Sequence, residues 1–83
     1  MKILYFAWLK QKTGLSSEEV APPAEVTTIA DLADWLAAKS AGHAQALANR
    51  DVVRVAVDQE FAGYDAPIAG AREIAFFPPV TGG

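Results

Sequence analysis

Apolar and polar positions alternate with strand periodicity at the two ends of this chain and recur with helical spacing in between. Lys2–Leu9 (KILYFAWL) is rich in β-branched and aromatic residues. It splits into Ile3, Tyr5, Ala7 and Leu9 on one face and Lys2, Leu4, Phe6 and Trp8 on the other. Lys10–Ser17, with Thr13-Gly14, reads as a hairpin turn. Glu18–Val20 reads as the return strand, resuming at Glu25-Val26 after Pro22-Pro23 and confined by those prolines to an edge. Thr28 is the expected helix N-cap, with Asp31 at the capping-box position. Ile29, Leu32, Ala33 and Leu36 form the apolar stripe, Trp35 sits at its margin, and Gly42 after Lys39 is the expected stop. His43–Ala48 predicts a short further turn of helix. Val52–Val57 alternates cleanly, Asp58-Gln59-Glu60 is a tight turn, Phe61-Ala62 a short strand, and Arg72–Phe77 the last strand.

The order is hairpin, helix, then further strands. A single amphipathic helix covers one face of a sheet. The first and last strands are apolar enough to be central, which makes them parallel neighbours joined through the helix as a crossover. This α+β arrangement is the β-grasp, or ubiquitin-like, fold: a mixed sheet of four to five strands with one main helix on one face. Ile3, Tyr5, Val53, Val55, Val57, Ile74 and Phe76 are expected to meet the helix. The opposite face carries Lys2, Arg54 and Glu73, but also Leu4, Phe6, Trp8 and Phe77, with Phe61 nearby. Aromatics clustered on a solvent-facing sheet mark an interface.

Composition narrows the function. Eighty-three residues, 52% hydrophobic and 20% charged, make one globular domain with one modest core. There is no cysteine, so no side-chain thiol is available as nucleophile or sulfur carrier, and a reducing, cytoplasmic setting is expected. No leader or membrane-spanning run is read at the amino end. The net charge of −3 disfavours nucleic acid and anionic membranes as partners. His43 is the single histidine, so a zinc site would need an all-carboxylate shell; it reads as a surface residue beside a helix end. Glu18-Glu19 and Asp58/Glu60 read as solvated turn residues. Ser16, Ser17 and Thr81 have no partnered base, and no glycine-rich phosphate loop is present.

The chemistry is concentrated at the carboxyl end. Residues 1–77 form the domain and 78–83 an extended tail, Pro78-Pro79-Val80-Thr81-Gly82-Gly83. The prolines hold the segment extended, and Gly82-Gly83 has no side chains. The only reactive group at that end is the Gly83 carboxylate. Such a peptide suits insertion into a narrow active site on another protein.

Glu73-Ile74-Ala75-Phe76-Phe77-Pro78-Pro79-Val80-Thr81-Gly82-Gly83 closely resembles the small subunit of molybdopterin synthase, as do Leu4-Tyr5-Phe6-Ala7 and Ala56-Val57-Asp58-Gln59. The Phe-Phe-Pro-Pro-Val-x-Gly-Gly ending favours this family over the thiazole-forming sulfur carrier, which shares the fold and the Gly-Gly. Two positions depart from the family pattern: Asp58 stands where Asn is common, and Gly70-Ala71-Arg72-Glu73 replaces Asp-Gly-Asp-Glu.

The resemblance implies that an ATP-dependent adenylyltransferase of the ubiquitin-activating type adenylates Gly83, and that a persulfide sulfurtransferase converts it to a thiocarboxylate. The large synthase subunit then receives the tail for sulfur transfer to cyclic pyranopterin monophosphate, within a heterotetramer of small and large subunits. It implies no cofactor bound by this chain, ATP being used by the activating enzyme. Gly83 would carry the sulfur and Gly82 permit entry, with Phe6, Phe61, Phe77, Pro78, Pro79, Val80 and Thr81 meeting the partner. On this view the chain is a non-catalytic donor subunit. The alternatives are a carrier for thiazole or cysteine synthesis, a ubiquitin-like modifier conjugated through Gly83, and a plain binding module.

Overall fold

The computed structural model describes residues 1–79. Its strands are β1 (Lys2–Tyr5), β2 (Ser17–Glu19), β3 (Arg54–Val57), β4 (Glu60–Ala62) and β5 (Glu73–Phe77). Its α-helices are α1 (Trp8–Thr13), α2 (Ile29–Ala37) and α3 (Ala41–Ala46), and a 3-10 turn spans Arg50–Val52. The five strands form one mixed sheet in the order β2-β1-β5-β3-β4. β1 and β5 run parallel at its centre, with Ile3 opposite Ile74 and Tyr5 opposite Phe76. The remaining pairs are antiparallel. This is the expected β-grasp topology.

The core lies between the sheet and the helices. Ile3, Tyr5, Val53, Val55, Ile74 and Phe76 bury one sheet face against Leu9, Ile29, Leu32 and Leu36. Val57 lies at the margin, half-buried but packed on the same cluster. Helix α2 begins where its capping box predicts. The Thr28 hydroxyl accepts from the Asp31 N–H (3.2 Å), and the Asp31 carboxylate accepts from the Thr28 N–H (3.3 Å) and the Thr27 N–H (3.1 Å). Those donors hold the Asp31 carboxyl below its ordinary pKa, the Thr27 N–H contributing most.

Four expectations are corrected. First, β1 ends at Tyr5 rather than Leu9. The backbone swings at Ala7 (φ 54°, ψ −131°), and residues 8–13 coil into α1. Gly14 at φ 79° closes that helix, its N–H donating to the Lys10 carbonyl, so Thr13-Gly14 is a helix C-terminus and not a hairpin turn. Second, Glu25-Val26 does not resume the edge strand; residues 24 and 25 form a turn. Third, Gly42 is not a stop. Helix α2 ends at Ala37, Ser40 caps α3, and Gly42 lies inside α3. A Cβ on Gly42 would stand 2.2 Å from the Lys12 carbonyl oxygen, so the residue lets α3 press against α1. Fourth, Val52 belongs to the 3-10 turn, and β3 starts at Arg54.

Candidate functional site

The face of the sheet turned away from the helices carries the candidate docking residues Phe6, Phe61 and Phe77. Register places Leu4 beside Ala75, Ala75 beside Ala56, and Ala56 beside Phe61, in one row across four strands. The two alanines form a low floor between larger walls, and both are buried, at 8% and 7% exposure. Phe61, by contrast, is 82% exposed on the edge strand β4, and Phe6 is 48% exposed. The Phe61 and Phe77 rings lie 5.6 Å apart and tilted by 35°. Arg54, opposite Phe77, and Glu73, opposite Lys2, supply charge at the two ends of the apolar band.

This face is continuous with the root of the tail. The Phe6 N–H donates to the Phe76 carbonyl (3.1 Å), extending the parallel ladder one residue past β1. Leu4, Phe6, Ala75, Phe77 and Pro78 then line a single shallow groove. Pro78 and Pro79 are half-buried. The structure thus brings Phe6, Phe77 and Pro78 together and sets Phe61 beside Phe77. Val80, Thr81, Gly82 and Gly83, which carry the expected chemistry, lie outside the described residues. Trp8, placed on this face by alternation, does not belong to it: the turn at Ala7 carries it toward the core, where it packs half-buried. Alternation along the last strand already places Ala75 on this face; its pairing with Ala56 is not signalled, because small residues give a weak periodic signal.

A second polar cluster lies on the core side and contradicts two further expectations. His43 is 5% exposed rather than on the surface. Glu18, expected in solvent, accepts from the Tyr5 hydroxyl (2.8 Å) and lies 2.7 Å from His43 Nε2. His43 Nδ1 lies 2.7 Å from the Ser40 hydroxyl, which also accepts the His43 backbone N–H (3.1 Å). An ionised carboxylate only accepts, so Nε2–H points at Glu18. Burial pushes the Glu18 carboxyl up. Hydrogen bonds from His43 and Tyr5, with the charges of His43 and Lys39, outweigh it and hold the group below its ordinary value. Burial, then the bond to Glu18 and its charge, drives the Tyr5 phenol far upward. Every member has a partner, so the network joins β1, β2 and α3 without a free reactive group.

The two-residue turn between β3 and β4 has Asp58 and Gln59 at positive φ (49° and 72°). The Asp58 carboxylate accepts from the backbone N–H groups of Arg72 (3.0 Å) and Glu73 (2.9 Å), tying this turn to the start of β5. Both departures from the family pattern meet at this junction. Among the described residues there is no group of three or more His, Asp or Glu disposed to hold a metal ion. No helix among them is long and apolar enough to cross a membrane.

Comparison with known proteins agrees with this geometry. Over 83 residues the chain is 39% identical to the molybdopterin synthase sulfur carrier subunit of Escherichia coli (strain K12), covering 100% of this chain and 99% of the relative. Among solved structures it is similar to SAMP1 from Haloferax volcanii, with a TM-score of 0.72, 29% identity, and coverage of 100% of this chain and 98% of the other. It is also similar to a putative molybdopterin converting factor, subunit 1, from Pyrococcus furiosus, with a TM-score of 0.74, 25% identity and 95% coverage of both chains. The ThiS family model matches residues 3–83, so the chain belongs to the ThiS family.

Proposed function

We propose that this protein is the sulfur carrier subunit of a molybdopterin synthase. The observation that carries the reading is the 39% identity, along the whole chain, to a protein of that name. The groove that leads from the exposed aromatics to Pro78 supports it, because a protein that takes in the tail must lie against that face. In this reading an adenylyltransferase joins the Gly83 carboxylate to AMP, releasing pyrophosphate and making the acyl carbon electrophilic. A persulfide sulfur attacks that carbon and AMP leaves. Thiol cleavage of the resulting sulfur–sulfur bond leaves a thiocarboxylate on Gly83. Its sulfur is a good nucleophile for cyclic pyranopterin monophosphate held by the large subunit, and each sulfur of the dithiolene consumes one loaded carrier. Phe6, Phe61 and Phe77 dock the partner, Pro78, Pro79, Val80 and Thr81 direct the tail, and Gly82 lets it pass.

The test is intact-protein mass spectrometry on the untagged chain with ATP, the cognate adenylyltransferase and a persulfide donor. The expected result is a gain equal to replacing one oxygen by sulfur, confined to the peptide ending in Gly83. Absence of that gain, with enzymes competent on a known carrier, would sink the reading. Adding the large subunit and the pterin precursor then names the product. A second reading, a protein modifier, is favoured by the likeness to small archaeal modifier protein 1 of H. volcanii (TM-score 0.72, 28% identity). It predicts lysine conjugates through Gly83 in cells, abolished by deleting Gly82-Gly83.

A further inference from the structure

A serine hydroxyl is activated by a partner, not by lacking one. The signature is a hydroxyl within hydrogen-bond reach of an imidazole that a third group orients. Ser40, His43 and Glu18 meet in that order. Ser40 Oγ lies 2.7 Å from His43 Nδ1, and His43 Nε2 lies 2.7 Å from a Glu18 carboxylate oxygen. The imidazole is 5% exposed and meets the Tyr5 ring edge-on at 5.8 Å, so packing as well as hydrogen bonding fixes its orientation. Ser40 itself is exposed. The hydroxyl faces solvent, and the base behind it does not.

Helix capping alone does not account for this arrangement. An N-cap hydroxyl accepts a backbone N–H, as Thr28 does for α2 with the Asp31 N–H. Ser40 does the same for α3, accepting the His43 N–H at 3.1 Å, but its proton has a further use. Glu18, with its carboxyl held below the ordinary value, is ionised, takes Nε2–H, and leaves Nδ1 with a lone pair. The Ser40 O–H then donates to Nδ1. Of the two lone pairs on the hydroxyl oxygen, the His43 N–H takes one and the other is open to an electrophile. Tyr5 on β1 donates to the same Glu18 oxygen, and Lys39 stands 3.6 Å from the other. We infer that Ser40 is a nucleophilic serine, a site of covalent acylation by activated esters, with His43 as its general base and Glu18 positioning the imidazole. In that step Ser40 Oγ bonds to the acyl carbon, and the bond from that carbon to the leaving alkoxide or phenoxide oxygen breaks. The Ser40 proton passes through Nδ1 to that oxygen. The products are an O-acyl Ser40 and an alcohol or phenol, with no change of oxidation state.

The test treats the full chain with p-nitrophenyl acetate and follows acetylation by peptide mapping in the mass spectrometer. Ser16 and Ser17, the other two serines, are also exposed and serve as internal controls, because His43 is the single histidine. Ser40 is expected to be acetylated about 100-fold faster than either, the lower end of what a positioned general base supplies. Its rate should rise with pH and level off once the imidazole is neutral, whereas an unassisted hydroxyl keeps gaining rate with hydroxide concentration. Hydroxylamine should remove the label, since it cleaves an ester on Ser40 and spares an amide on Lys39. His43→Gln should bring Ser40 down to the rate of Ser16, with circular dichroism confirming the fold. Should that variant fail to fold, the pH profile of the wild-type chain decides. Acetylation of Ser40 no faster than that of Ser16 and Ser17, a pH profile without a plateau, or label confined to Lys39 would each overturn the inference. None of these results bears on the carrier reading, which rests on Gly83.

Discussion

Under the proposed function, Phe61 is the side chain at which stability and docking are expected to separate most sharply, because it does so little for the folded chain. It is 82% exposed on an edge strand, with the Phe77 ring as its aromatic neighbour. Fully burying a Phe side chain is worth about 2.5 kcal/mol, so the fraction buried in the free protein accounts for only about 0.5 kcal/mol. Loss of strand propensity on truncation adds a few tenths more. Phe61→Ala should therefore cost the free chain about 1 kcal/mol at most, a small shift in the urea midpoint. A partner that covers the ring would gain the remaining four-fifths, about 2 kcal/mol, or roughly 30-fold in affinity. The assay pairs urea unfolding of the free chain with calorimetric titration against the large synthase subunit. A variant that loses several kcal/mol of stability would falsify the account of the monomer. A variant that binds as tightly as wild type would remove Phe61 from the docking surface.

The other predictions probe the interior and the turns. Glu18 has a lowered pKa in the folded state, so its contribution to stability is present above its unfolded value, near 4.5, and is lost as pH falls through the folded value. Glu18→Gln should cost roughly 1–3 kcal/mol at pH 7 by weakening the bonds to Tyr5 and His43. The gap in unfolding midpoint between variant and wild type should narrow below about pH 4.5; a gap that is flat with pH would contradict the assignment. Gly42→Ala gains up to about 1 kcal/mol in helix propensity but sets a methyl against the Lys12 carbonyl, a backbone atom that cannot swing aside. Net destabilisation of roughly 1–2 kcal/mol by urea unfolding is expected, and any stabilisation would mean that α1 and α3 do not pack this closely. Gln59→Gly relieves a side chain held at φ 72° and should stabilise the chain by about 0.5 kcal/mol, seen as a higher melting temperature.

What could be read in the sequence followed from local chemistry. The capping box at Thr28 and Asp31 marked α2 because both partners lie within one turn. The alternation of Val53 and Val55, and of Ile74 and Phe76, set the sheet's phase, and with it the exposure of Phe6 and Phe61. The first segment misled because residues 3, 5 and 9 reach the core either as a continuous strand or as a strand followed by a helix. Only the backbone angles at Ala7 distinguish the two. His43 misled for a different reason. Its partner Glu18 lies 25 residues away, and no short-range pattern foretells a hydrogen bond of that kind. The role of Asp58 at the head of β5 was hidden in the same way, by a separation of 14 residues from Arg72.

These hidden contacts bear on how the site is held. β5 leads to Pro78, and it is fixed on one side by β1, on the other by β3, and at its start by the Asp58 carboxylate. β1 is in turn held by β2 and, through the Tyr5–Glu18–His43 chain, by α3. The strand that leads to Pro78 is thus paired on both edges and pinned at its start, while Phe6 and Phe61, on the flanks of the face it crosses, are the most exposed aromatics among the described residues. Under the proposed function, rigidity at the base with adhesive side chains beside it would lower the entropy cost of presenting the tail to a partner. It follows that substitutions in the Glu18 cluster act on the folded fraction and leave the affinity of folded molecules unchanged, whereas substitutions at Phe6 and Phe61 do the reverse. Measuring affinity against the folded fraction for both sets decides whether the two faces of this sheet are energetically separate.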